Sequence, residues 1–255
     1  MNEKNLRLIY LLLITGSVIL TPIVGVFGPF NNGSQSSSLA REYFLPAGYV
    51  FGTIWMINYL GLAAYGIWQV LPAQRDNQRV RRALPWLAAT AFGNVIWIAL
   101  AGSVATVPWT VPALIFMEIT AWVAYFRLGI PTGAVASSTE KWLQAALRVY
   151  VGWLSVATIA NTASMLIILG WDGWGIAPQN WAVIMLAVAT VVAWGIGRLV
   201  RDDNLYRGVF IYAFIGIILQ QSDVPAIVWT AGIGALLITA MIIVSSRLQT
   251  HQIEV

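Results

Sequence analysis

Four polar side chains stand inside otherwise apolar stretches of this chain: Asn58, Asn94, Glu118 and Asn161. Hydrocarbon offers no hydrogen bonds, so an amide or carboxyl at that depth needs a protein partner, a water or a ligand. For the three asparagines the plain role is interhelical bonding, worth ~0.6–2 kcal/mol per contact. Glu118 differs, because a carboxylate at mid-depth costs ~2.5–3.5 kcal/mol on insertion scales. It must face the bundle interior or stay protonated, and a neutral Glu118 hydrogen-bonded to an amide is expected, with a ligand or proton role as the alternative. Around these groups lie aromatics at helical spacing. Phe51, Trp55 and Tyr59 recur every four residues and share one helix face. Trp153, Ala157 and Asn161 do the same, and Asn94 and Trp97 are three apart. Aromatic walls with a few polar groups suit a flat, apolar, π-rich ligand, although packing of large side chains between helices uses the same pattern.

Other chemistries are excluded by what the chain lacks. It has no cysteine and a single histidine, His251, in the C-terminal tail. Disulfides, thiolate metal sites, iron–sulfur clusters, cysteine nucleophiles and a Ser-His-Asp set are therefore all ruled out. Haem ligation by an intramembrane His or Cys is excluded as well. There is no G-x-x-x-x-G-K-[ST] phosphate loop. The only lysines, Lys4 and Lys141, flank apolar spans, which removes a retinal Schiff base. No catalytic residue and no metal ligand is assigned.

The elements that position these residues are membrane helices. The 255 residues are 59% hydrophobic and 9% charged, against roughly 25% charged in a soluble domain. The fold class is all-α, a polytopic helical membrane protein. Eight spans are expected at about 7–28, 46–71, 83–104, 106–127, 145–170, 179–199, 205–220 and 224–246. Basic residues set the orientation. Lys4 and Arg7 precede span one, and Arg75, Arg79, Arg81 and Arg82 follow span two. Arg127, Lys141 and Arg148 flank the next loop on that side, Arg198, Arg201 and Arg207 the one after it, and Arg247 follows span eight. The opposite side holds only Arg41, beside Glu42. Both termini are therefore expected in the cytoplasm of a bacterial inner (plasma) membrane. No nucleic-acid partner is expected, since the basic residues report orientation. The first span is long and lacks an A-x-A site, so it reads as a retained helix.

Between spans one and two lies the one low-complexity segment, Asn31–Ser38, a candidate lid that leads through Tyr43 and Phe44 to the Pro46–Gly48 turn. Interior aromatic and amide residues run to position 172. Beyond it the helices are plainer, so the expected domains are a bundle at 1–172 and a three-helix extension at 173–255. Among the thirteen tryptophans, Trp86, Trp109, Trp142, Trp171, Trp174 and Trp181 fall near span ends, where indoles anchor at the headgroups. Trp55, Trp97, Trp153 and Trp194 lie deeper.

Residues 46–59, Pro-Ala-Gly-Tyr-Val-Phe-Gly-Thr-Ile-Trp-Met-Ile-Asn-Tyr, resemble the second-helix signature of the TspO/MBR family of tryptophan-rich sensory and translocator proteins. That signature reads Pro-Pro-Gly-Trp-Val-Phe-x-x-Val-Trp-Thr-x-Leu-Tyr. Asn94-Val-Ile-Trp97 resembles the family's Asn-x-x-Trp of helix three. Leu147 to Asn161 is similar to its helix-five pattern, Leu-x-Pro-Tyr-x-x-Trp-x-x-x-Ala-x-x-x-Asn. The resemblance covers about residues 7–172. Tyr49 stands where the family usually has Trp, Met56 where Thr is common and Val149 where Pro is usual. The sterol-contact motif proposed after Asn161 is not matched.

The resemblance implies a TspO-like five-helix bundle with a ligand cavity bordered by Pro46, Phe51, Trp55, Tyr59, Asn94, Trp97, Trp153, Ala157 and Asn161. It implies non-covalent binding of a tetrapyrrole such as protoporphyrin IX, or of a similar planar apolar ligand, in sensing, trafficking or degradation; the lack of an intramembrane His or Cys favours the metal-free porphyrin. It also implies a homodimer through helix three, where Ala89 and Gly93 form a small-xxx-small pair. Any catalysis would be light-driven degradation of the bound pigment beside Trp55 or Trp153. Two other classes suit the same residues. A proton-coupled secondary transporter would use Glu118 and the asparagines, although no internal repeat supports it. An accessory or scaffold subunit would dock through the C-terminal helices.

Overall fold

Long apolar runs in hydrocarbon must satisfy every backbone N–H and C=O internally, and the α-helix does so within one segment. The computed structural model describes residues 3–28, 43–135 and 137–251, with side chains to residue 247. Among these residues there are eight α-helices and no strand. They are α1 (Glu3–Phe27), α2 (Gly48–Trp68), α3 (Gln78–Leu100), α4 (Thr110–Arg127), α5 (Ser138–Ile168), α6 (Pro178–Leu199), α7 (Asn204–Gln220) and α8 (Pro225–His251). Seven are long and apolar enough to cross a membrane, and α7 is a shorter apolar helix. The chain is an integral membrane protein. The expected lid at Asn31–Ser38, with Arg41 and Glu42, and the side chain of His251 lie outside the described residues.

Helices α3 and α5 begin earlier than their apolar stretches because caps, not hydropathy, start them. Asn77 accepts the Val80 N–H at the head of α3, and Ser137 accepts the Glu140 N–H at the head of α5. Lys141 consequently sits in the first turn of α5, ahead of its apolar run. Asp203 accepts the Leu205 and Tyr206 N–H groups and starts α7. Pro178 and Pro225 open α6 and α8, where a missing N–H has no cost.

Packing divides the chain into two compact units: Met1–Ala40 with Trp55–Gly170, and Arg41–Ile54 with Trp171–Val255. The division falls inside α2. Residues 43–54, placed by sequence with the first bundle, group with the C-terminal helices for a specific reason. Ala47 N–H donates to Gly216 O at 3.0 Å, and the Tyr212 hydroxyl donates to Val50 O at 3.0 Å. A Cβ on Gly216 would lie 2.7 Å from Val50 and 2.8 Å from Pro46, so only glycine admits that approach. Pro46 and Phe51 accordingly belong to this unit.

In the other unit α3 packs against α1 and α4, and α5 against α4. Gly93 is buried there, and a Cβ on it would meet Met117 Cγ at 2.4 Å. Gly93, one half of the Ala89–Gly93 pair expected at a dimer interface, thus admits Met117 of α4 within the chain. Helix ends are tied by two arginines. Arg7 donates to Gln69 O at 2.7 Å and Arg75 O at 2.8 Å. Arg79 donates to Leu128 O at 3.0 Å and to Ala134 O, and pairs with the fully buried Glu140 at 2.9 Å.

Candidate functional site

The centre of the first unit is an aromatic cluster built by α2, α3 and α5. Trp55 is its hub. Its ring stacks on Trp97 with centroids 4.9 Å apart and an interplanar angle of 22°. It lies 5.5 Å from Tyr59, and meets Tyr150 and Trp153 edge-on at 6.3 and 6.4 Å. Offset stacking and edge-to-face contacts are the arrangements the ring quadrupoles prefer. Trp55, Trp97, Tyr150 and Trp153 are all buried, and Tyr59 is half-buried. The faces whose spacing suggested a shared wall come together here.

Asparagines frame the cluster. The Tyr150 hydroxyl donates to Asn94 Oδ1 at 2.9 Å, and the Asn94 amide donates to Thr90 O. Asn161 Oδ1 accepts from Trp97 Nε1 at 3.3 Å and from the Thr110 hydroxyl at 2.9 Å, while its amide donates to Ala157 O. Asn94 and Asn161 therefore join α3 and α4 to α5, which is the structural role expected of intramembrane amides. Asn58 is buried beside a cavity lined also by Tyr65, Leu87, Ala146 and Tyr150, with room for about one water molecule.

Glu118 does not meet an amide. Its carboxylate accepts the Ser155 hydroxyl at 2.7 Å and the Thr158 hydroxyl at 3.0 Å, bridging α4 to α5 at a half-buried position. Serine and threonine one turn apart supply two donors on one face, and their small hydroxyls are easily passed over in an apolar run. Trp194 is not part of the cluster: it lies on α6 in the second unit and is 51% exposed. Pro46 and Phe51 also fall in that unit. Tyr49 is exposed.

Two residues of the cluster's surroundings were not assigned from sequence. Tyr150 was visible in the helix-five pattern, and its spacing of three from Trp153 already put it on the same face. Tyr65 lies seven residues after Asn58, nearly two full turns, and that repeat was the available signal.

A family model described as TSPO-like protein matches residues 7–244, and so runs from α1 into α8 and includes the three C-terminal helices. No curated protein and no solved structure matches the chain. The match spans nearly all of the sequence, and the chain belongs to the TSPO-like protein family.

Proposed function

We propose that this protein binds a porphyrin, or another flat apolar ligand of that size, at the Trp55–Trp97–Trp153 cluster, in a sensing, trafficking or degradation role. The observation that carries this reading is the Trp55–Trp97 stack, two broad π-faces in contact within a buried, amide-framed site. A macrocycle offers the same face to Trp55 that Trp97 offers in the closed cluster. The adjoining cavity has room for about one water, far less than the ~300–1,000 Å³ of ordinary ligand pockets. Binding therefore requires the stack to part, with the ligand taking Trp97's place against Trp55. The side chains named here supply stacking and hydrogen bonds and include no His or Cys, which favours metal-free porphyrin.

Titrating purified protein with protoporphyrin IX, read by tryptophan fluorescence quenching, tests this. Trp55→Ala and Trp153→Ala should each weaken binding by ~1–3 kcal/mol, the scale of one lost aromatic partner. Equal affinity in all three proteins would mean that the pigment sits elsewhere, and the reading would be abandoned.

The basic residues grouped at the ends of α1, α2, α3 and α5 support cytoplasmic termini in a bacterial plasma membrane. A homodimer through α3 would use the exposed Phe92 and Ile96, since Gly93 is engaged with Met117. Crosslinking in native membranes from cysteines placed at those two positions tests it.

A further inference from the structure

The cavity beside the cluster has a feature that packing does not account for. Asn58 and Tyr65 both line it, and their spacing of seven puts them on one face of α2. They are only 1% and 2% exposed. Neither the amide nitrogen nor the amide oxygen of Asn58 has a hydrogen-bond partner in the chain, nor has the Tyr65 hydroxyl. Stranding three such groups in hydrocarbon is costly. Asn94 and Asn161, at similar depth, are bonded. The family signature quoted above carries leucine at the position of Asn58, which would fill the space without any polar atom.

We propose that this cavity is a binding site for one small neutral group that both donates and accepts a hydrogen bond. That group is a water in the unliganded protein and a hydroxyl of the ligand when one is bound. Asn58 offers two N–H donors and a carbonyl acceptor, and Tyr65 one donor and an acceptor, so the site is matched by a group of mixed character. The remaining walls are leucine, alanine, glycine and Tyr150. No cationic side chain is among them, so an anion entering there would be uncompensated. A purely apolar group would leave the three polar atoms stranded. Tyr150 joins this cavity to the stack, since it lines the one and meets Trp55 in the other. The cavity is thus the polar end of the aromatic site. The ligand part of this proposal rests on the porphyrin reading above, and the water part does not.

Two measurements test it. In the isotope-labelled, unliganded protein, magnetisation transfer from a long-lived water to the Asn58 side-chain amide should be observed, and should weaken in Tyr65→Phe. No transfer in the wild type means a dry cavity and overturns the proposal. Haematoporphyrin carries hydroxyethyl groups where protoporphyrin IX carries vinyl groups, with the same carboxylates. Wild type should prefer haematoporphyrin by about tenfold, the worth of one good buried hydrogen bond, and Asn58→Leu should erase that preference while still binding protoporphyrin IX. Tyr65→Phe carries the same comparison should Asn58→Leu fold poorly. No preference in wild type, or one that survives both substitutions, overturns the ligand part. A hydrated cavity in a protein that binds neither pigment would sink the porphyrin reading and leave the water site standing.

Discussion

At the scale of single residues, the polar groups of the first unit divide by whether the chain itself satisfies them. Asn94 is satisfied by Tyr150 and Thr90, Asn161 by Trp97, Thr110 and Ala157, and Glu118 by Ser155 and Thr158. Each of these bonds crosses between helices or closes a turn, so its loss should register as stability. Tyr150→Phe leaves the Asn94 amide oxygen without its phenolic donor and should cost about 1–2 kcal/mol. Adding Asn94→Leu should recover part of that loss, because the stranded group goes with it. Thermal unfolding in mild detergent checks both variants. What could be read beforehand was the depth of each side chain and its neighbours on the same helix. Trp194 shows the limit: depth along a span follows from sequence position, but the direction a side chain faces depends on which helices lie beside it. Glu118 shows another. Hydroxyls of Ser155 and Thr158 look apolar to a hydropathy reading, and they are the donors it meets.

At the scale of elements, close approach explains more than composition does. A small-xxx-small pair states only that something comes near, and for Gly93 that neighbour is Met117 of α4. Gly93→Leu should therefore destabilise the α3–α4 pairing by about 1–3 kcal/mol or more through overpacking, irrespective of any dimer. Met117→Ala in the same chain should restore part of the loss, which thermal unfolding in detergent would detect. Arg79 is the corresponding polar fastener. Its guanidinium faces the buried Glu140 and two carbonyls from the α4–α5 connection. Arg79→Ala leaves a carboxylate buried without its cation and should cost about 3 kcal/mol. Arg79→Met with Glu140→Leu should recover most of it, since a buried ion pair and an apolar pair of similar volume are often near balance. Glu140 escaped notice in the sequence because it sits before the apolar run. The Ser137 cap carries α5 back over it, and a cap three residues before an acidic residue is a signal that could have been used.

At the scale of the whole molecule, the eight helices follow the eight apolar stretches, and the family match extends over nearly all of them. The grouping of those helices was less legible. One break in packing falls after Gly170 and the other inside α2, whose opening turns carry no mark of a different allegiance. Their partner is a glycine 169 positions away from Ala47, and one backbone hydrogen bond across that distance leaves no local periodicity. The seventh helix carries a consequence for biosynthesis. At 17 residues it is ~26 Å long, short of the ~30 Å hydrocarbon core. Its Arg207 is buried against Asp202 at 2.6 Å and against Ser245 of α8 at 3.2 Å. As the chain leaves the ribosome α7 emerges first, with a buried cation whose second partner is still unmade. It should therefore enter the bilayer reliably only as a hairpin with α8. Because the chain has no cysteine, Ser222→Cys is a clean marker of which side that turn reaches. In a chain ending at residue 224 the thiol should be labelled from both faces of the membrane, and in the full chain from one face alone. A single-sided result in both would mean that α7 crosses on its own.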